Sequence, residues 1–453
     1  MSDTPPNLLF LFPDQWRWDW FGHVTDSAYG DAKVETPNID RLAAQGTRFT
    51  QCRTNSPLCQ PARACLATGV RYHRCPVRGN GDQLDAAEAD TVFRRLREAG
   101  YRTACTGKTD LLAHGRPLGL DGWSRDIGRF GFTHSANQNG KGGAILWSTP
   151  DQPTELWGHA TRQSDPAVWQ ALRDDWDRRA QPRRLKKQLP AHPSPVPSEH
   201  HSDGFCASRA LRFLEDWPAG TDDPWLLWVN FPGPHEPFDP PAEFLARYEG
   251  VGFPDPLHPD ADNDHQALRR AYAALCTHVD HWIGCILDAV EQRGEAGKTL
   301  VVLASDHGEM LGDHGRWYKE VPHEPSVHVP LILAGPGVPR GHVRDDLVEL
   351  IDIGPTLLTA AGLPVPDHFD ARPLPTHGGT ARDHQLLGLK SWQVLVTDDR
   401  HKLVVGFDGK PRRLYDLNAD PLEQHDLAGT QPDLVDRLTR RLRDLTADTP
   451  ALA

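Results

Sequence analysis

An α/β fold is predicted, with a mostly parallel central sheet between helices and a small C-terminal α+β subdomain. Three observations carry this reading. Continuous apolar runs at 7–12, 225–231, 299–304 and 329–334 have the character of strands buried on both faces. Helical stretches separate them. Near Thr376 the alternation stops, and short strands with turn chemistry such as Asp408-Gly409 take over.

Taken in order, the strand 7–12 ends at Asp14-Gln15, and a short helix opens at 36–42 with Pro37 at its start. A helix at 89–99 closes on Gly100 and leads into a strand at 101–106. From about 130 to 200 the pattern dissolves into a loop-rich insertion with some helix. Its basic run Arg183-Arg184-Leu185-Lys186-Lys187 reads as a solvated helix face. Order returns with a helix at 204–216 and the strand 225–231, which runs into Pro234-His235-Glu236-Pro237-Phe238. A long amphipathic helix covers 264–293, and the strand 299–304 ends at Ser305-Asp306-His307-Gly308. The strand 329–334 and a helix at 352–361 follow. Short strands at 393–397, 402–407 and 412–415 and a helix at 432–446 form the subdomain. The expected division is 1–375 for the catalytic unit and 376–453 for the antiparallel-sheet unit.

Composition limits the partners. The 453 residues carry a net charge of −13, which argues against nucleic acid or an anionic membrane. An anionic small substrate would need a local positive trap. No segment is long enough to span a bilayer. The apolar run 8–12 lacks a basic leader and is too short for a signal peptide. Eight cysteines without a C-x-x-C pair favour a reduced, cytoplasmic protein.

Two strand ends deliver Asp14-Gln15 and Asp306-His307. In open α/β sheets ligands bind beyond the carboxyl ends of strands, so adjacent parallel strands would unite the two pairs. Three oxygen donors and one nitrogen suit a divalent cation. Cys59-Gln60-Pro61-Ala62-Arg63 precedes a helical run. Pro61 suits a helix start, and the helix N-terminus offers N–H groups and partial positive charge to an anion such as sulfate or phosphate.

These motifs, in order, resemble the sulfatase branch of the alkaline-phosphatase-like superfamily. Thr36–Leu42, Thr68-Gly69, Gly107-Lys108, His235–Phe238, Val329–Leu331, Asp352–Thr356 and Leu414–Leu417 extend the match over most of the chain outside 130–200. The resemblance implies an alkaline-phosphatase-like fold and hydrolysis of sulfate monoesters. It implies that Cys59 is oxidised to formylglycine by a formylglycine-generating enzyme that reads Gln60–Arg63. One hydroxyl of the hydrated aldehyde attacks sulfur, and the other provides the exit by which sulfate leaves. A metal bound by Asp14, Gln15, residue 59, Asp306 and His307 lowers the hydroxyl pKa. Arg63 holds residue 59 and the metal-side oxygens, Lys108 and Lys319 clamp sulfate oxygens, and His235 is the general acid. Asn80 resembles a substrate-contacting Asn of related phosphonate and phosphate ester hydrolases.

Departures from the family pattern leave choices open. Gln15 stands where many members have Asp, and His307 where some have Asn. Calcium is favoured, with manganese or magnesium admitted by the imidazole. Asp110 occupies the position where a His often follows the G-K pair, and His114 is a substitute of unknown direction. His314 and His323 have no assigned role and read as surface groups or as supports behind the site. Trp16, Trp18 and Trp20 read as packing. The expected substrate is a small sulfate ester, with a sulfated sugar among the candidates, and the insertion at 130–200 is expected to shape that choice. A homo-oligomer is compatible with the sequence. A phosphonate monoester or phosphodiester hydrolase is the rival activity. A binder of sulfated ligands that keeps Cys59 as a thiol is the non-catalytic alternative.

Overall fold

The computed structural model describes residues 4–113, 122–147, 156–184 and 191–447. His114 and residues 185–187 of the basic run lie outside these. Strands are numbered in chain order: β1 (Asn7–Leu11), β2 (Thr47–Phe49), β3 (Cys52–Arg53), β4 (Arg102–Gly107), β5 (His134–Asn137), β6 (Trp225–Asn230), β7 (Thr299–Ala304), β8 (Leu331–Ala334), β9 (His342–Arg344), β10 (Val348–Glu349), β11 (His384–Leu389), β12 (Trp392–Thr397), β13 (His401–Gly406) and β14 (Pro411–Asp416). Eight form one sheet in the order β5-β4-β6-β1-β7-β8-β2-β9. Every pairing in it is parallel except those of β8, which runs against both β7 and β2.

Alternation along β1 explains why the sheet is central. Leu8, Phe10 and Phe12 join one core with Trp228, Leu300 and Val302, while Leu9 and Leu11 join another with Leu227, Val229 and Leu303. Successive side chains of a strand point to opposite faces, so a continuous apolar run needs cover on both. The first face is covered by the helices Cys59–Thr68, Val92–Glu98 and Ile353–Ala360. The second is covered by Pro37–Gln45, Ser202–Asp216 and His265–Gln292. The last of these starts where Asp264 accepts a hydrogen bond from Ala267 N at 3.0 Å, an ordinary N-cap.

Two stretches differ from expectation. The 130–200 insertion is more helical than its composition suggested, with helices Lys141–Trp147, Leu156–Ser164 and Pro166–Arg184 packed around Trp157, Trp169 and Leu172. It also holds β5, whose sequence His-Ser-Ala-Asn has no apolar run; parallel pairing with β4 makes it a strand. At the C-terminal end the antiparallel sheet β11-β12-β13-β14 has four strands rather than three, and the helix Pro432–Ala447 covers one face through Val435, Leu438 and Leu442. Trp16 and Trp20 are buried, and Trp18 stacks on His328 with ring centroids 4.4 Å apart, so all three pack as expected. Among the described residues no helix is long and apolar enough to cross a membrane.

Candidate active site

Four adjacent parallel strands, β4-β6-β1-β7, end on one side of the sheet. Beyond their carboxyl ends lie Lys108, His235, Asp14 and Asp306-His307 in turn. The register Leu11↔Leu303 brings the last two groups together. Gly107, at the end of β4, sits at φ +77°, and a Cβ there would fall 1.9 Å from Asn230 O. Only glycine lets the chain turn against β6 and aim Lys108 inward.

Asp14, Cys59, Asp306 and His307 each direct one donor atom into a common space, and these atoms all lie within 4.8 Å of one another. All four residues are buried. Cys59 Sγ is 3.2 Å from His307 Nε2 and 3.9 Å from Asp14 Oδ1. His307 Nδ1 bonds Gly308 O at 3.1 Å, which leaves the Nε2 lone pair facing the cluster. Burial, with Lys319 adding to it, lowers the His307 pKa and keeps the ring neutral, the state that ligates. Two carboxylates at this separation repel by on the order of 3 kcal/mol at an effective dielectric of about 20. Arg63 offsets part of this, with Nε 2.9 Å from Asp306 Oδ2 and Nη2 3.4 Å from Asp14 Oδ2. The donors, their burial and the ring orientation fit one divalent cation.

Gln15, expected among the ligands, follows Asp14 directly and has its side chain engaged by three neighbours. Its Oε1 accepts from Lys319, and its amide donates to Glu309 and, at 3.0 Å, to Glu236. Its backbone N donates to Asp306 Oδ1 at 3.0 Å. The residue has φ +65°, a left-handed conformation held by these four bonds.

The basic side chains converge on the same point. Lys108 pairs with Asp14, and its Nζ lies 3.3 Å from Asp110 Oδ2. Burial works against its charge, but Asp110 and Asp14 hold the ammonium pKa well above its ordinary value. Asp110 therefore serves Lys108 rather than replacing a histidine. Burial likewise opposes ionisation of Asp14, yet Lys108, His235, Arg63 and His307 hold its pKa well below the usual carboxylate range. For Cys59, burial and then Asp14 push the thiol up to about 12. An unmodified Cys59 is thus an un-ionised thiol at neutral pH.

Lys319 stays charged despite its burial, since Cys59, Glu236 and Asp14 favour the ammonium. Its Nζ lies 2.8 Å from His235 Nε2. An ammonium can only donate, so Nε2 carries the lone pair. The ring proton is on Nδ1, which bonds Glu236 O at 2.7 Å. Burial and then Lys319 lower the His235 pKa to about 4, with Glu236 opposing. The imidazole is neutral near pH 7, so proton donation from Nε2 needs a proton from elsewhere.

Asn80 Oδ1 accepts from Gln60 N at 3.1 Å and so occupies one of the free N–H groups of the Cys59–Thr68 helix. That helix begins at Cys59, two residues before Pro61, which falls inside the first turn where its missing N–H costs nothing. Above Cys59 lies a cavity of about 370 Å³, lined by Asn80, Lys108, His235, Tyr318 and Lys319 and, from the insertion, by Asn139, Lys141 and Trp176.

Sequence reading missed several supports. Asn230, at the tip of β6, accepts from Arg63 Nη1 at 2.8 Å. A polar residue closing the apolar run Trp-Leu-Leu-Trp-Val was its signal. Glu309 holds Gln15 and accepts from Leu311 N and Tyr318 N. Burial and then Glu236 raise its pKa to about 7. Asp203 Oδ1 takes Gly233 N at 2.6 Å, and Gly233 O takes Asp14 N at 3.2 Å, fixing the loop that carries His235. Asp203 clusters with His201 and His278. Trp282 Nε1–H donates to His278 Nε2 at 3.0 Å, which puts the ring proton on Nδ1, the nitrogen facing Asp203.

The comparisons agree with this architecture. The family model described as Sulfatase matches residues 6–363. The arylsulfatase of Clostridium perfringens is 28% identical over 94% of this chain and 91% of its own length. Arylsulfatase K of Bos taurus is 27% identical over 97% of this chain and 81% of its own length. The crystal structure of the phosphonate monoester hydrolase of Agrobacterium radiobacter superposes with a TM-score of 0.76 at 25% identity, covering 98% of this chain and 96% of that one. With the family match spanning most of its length, the chain belongs to the sulfatase family.

Proposed function

We propose that the protein is a sulfuric ester hydrolase that cleaves sulfate monoesters using formylglycine at position 59 and one divalent cation. The single observation behind this reading is the convergence of Cys59 with Asp14, Asp306 and His307 beneath a cavity flanked by Lys108 and Lys319. Hydrated formylglycine supplies an attacking hydroxyl and a second one through which sulfate departs, and the cation lowers the hydroxyl pKa and neutralises the transferring group.

The chain's own residues do the rest. Asp14, Asp306, His307 and residue 59 would hold the cation, with Gln15 as a further ligand, and Arg63 keeps the two carboxylates in position. Lys108 and Lys319 donate to sulfate oxygens from a site that excludes most water. Asn80, on the cavity wall, contacts the ester. His235 and Lys319 act together in protonating the leaving oxygen: their 2.8 Å contact sets an ammonium proton against the Nε2 lone pair. The His235→Ala variant should accordingly lose about 10²–10⁴-fold in kcat/KM on alkyl sulfates, with a much smaller loss on 4-nitrophenyl sulfate, whose leaving group needs no proton. Equal losses across leaving groups would remove the assignment.

Calcium is the favoured ion, and the nitrogen donor of His307 also admits manganese or magnesium. The substrate is a small anionic sulfate ester, with a sulfated monosaccharide of a size the cavity accepts. Maturation requires a formylglycine-generating enzyme. Eight cysteines without a disulfide support a reducing, cytoplasmic setting. Residues 1–375 would form the catalytic unit and 376–453 its C-terminal companion. A second reading, phosphonate monoester or phosphodiester hydrolysis, draws on the similarity to the Agrobacterium radiobacter enzyme.

One experiment tests both. Protein co-produced with a formylglycine-generating enzyme is digested, and the peptide containing residue 59 is weighed. The aldehyde or its hydrate is expected. The same sample is assayed on an aryl sulfate, an aryl phosphonate and a phosphodiester, with the sulfate expected to react fastest. A persistent thiol in active protein would overturn the mechanism, and a faster phosphonate would select the second reading.

A further inference from the structure

Away from the strand tips, three side chains meet where the segment carrying Lys319 touches the C-terminal sheet. His314 and His323 bracket Lys319 in sequence, and Glu423 follows β14. The two imidazoles stack at a centroid distance of 4.2 Å and an interplanar angle of 15°. His314 Nε2 and His323 Nδ1 are screened from solvent and make no hydrogen bond, although His323 Nδ1 lies 3.4 Å from Glu423 Oε2. One donor atom from each of the three residues lies within 4.8 Å of the others.

We propose that His314, His323 and Glu423 form a second metal site, separate from the strand-tip cluster, that takes a divalent transition ion of the zinc class. Two imidazole nitrogens and one carboxylate are the donors such an ion prefers, and they differ from the oxygen-rich set that selects calcium or magnesium. Buried nitrogens without a hydrogen bond are costly, and a metal bond would satisfy both once one ring turns out of the stack to bring its in-plane lone pair to the shared point. Glu423 has capacity left. Lys402 Nζ lies 2.7 Å from Oε1 and Glu324 N donates to Oε2 at 2.7 Å, two of about four lone-pair positions. These contacts also orient the carboxylate toward the histidines. Lys402 does not leave the region positive, because Glu324 pairs with it at 2.9 Å. Both histidines are only partly buried, so solvent reaches the edge of the cluster although the two nitrogens themselves are covered. His314 and Glu423 have φ of +55° and +54°, conformations a non-glycine residue seldom keeps without a reason. A bound ion would tie the Lys319 segment to the C-terminal sheet.

The test is a zinc count. Chelator-stripped full-length enzyme is equilibrated with zinc alone, passed through gel filtration and analysed for metal. The His314→Ala/His323→Ala double variant should bind one equivalent less than the wild type, whatever zinc the strand-tip cluster takes, because that contribution is common to both. Glu423→Gln, which keeps its shape, should weaken the lost equivalent about tenfold or more. Zinc should raise the melting temperature of the wild type by more than that of the double variant. Equal zinc content in wild type and double variant overturns the proposal.

Discussion

Cys59→Ala is expected to abolish turnover, with kcat/KM falling about 10⁴-fold or more, the scale of a lost nucleophile. The fold should survive the change. The side chain lost is small, and the other residues of the Cys59–Thr68 helix remain buried against the same core, so the destabilisation should be about 1 kcal/mol. Steady-state kinetics on an aryl sulfate, paired with thermal melting, separates the two effects. Near-normal rates in this variant would contradict the mechanism outright. Cys59→Ser should fare little better, since a plain hydroxyl lacks the second exit.

Asp306→Ala is the second large loss, again about 10³-fold or more, measured as kcat/KM together with metal content. Asp306 holds three things at once: the cluster itself, Gln15 N at 3.0 Å and Arg63 Nε at 2.9 Å. Its removal leaves Arg63 short of one partner but also relieves the repulsion with Asp14. These two effects on stability oppose each other, so activity should fall far more than the melting temperature. The isosteric Asp306→Asn keeps an acceptor for Gln15 N and should still lose the cation. Retained metal and retained activity in both variants would sink the proposed cation site.

Much of this arrangement was legible because burial writes itself into side-chain pattern. The apolar runs of β1, β6 and β7 could only be covered on both faces, and the polar residues that end them had to lie at a sheet edge. Asp14, Asp306, His307 and Cys59 followed from that and from the family resemblance. What stayed hidden depends on partners remote in sequence. The hydrogen bonds of the Gln15 amide run to Lys319 and Glu309, some 300 residues away. The tautomer of His235 is set by Lys319, and no local pattern encodes it. β5 is a strand through backbone bonds to β4, which leave no trace in its polar residues. β11 was missed beside the three strands it joins; its neighbours across the sheet, not a turn signal, define it.

The depth of residues 59–63 has a bearing on the life history of the protein. Cys59, Gln60, Ala62 and Arg63 are each no more than 1% exposed, and all sit in a helix pressed against the sheet. An enzyme that must grip this pentapeptide in order to oxidise its cysteine cannot do so once the helix has docked. Under the proposed oxidation of Cys59, maturation would therefore belong to the nascent or unfolded chain, and protein that folds without meeting that enzyme should stay inert until it is unfolded in the enzyme's presence.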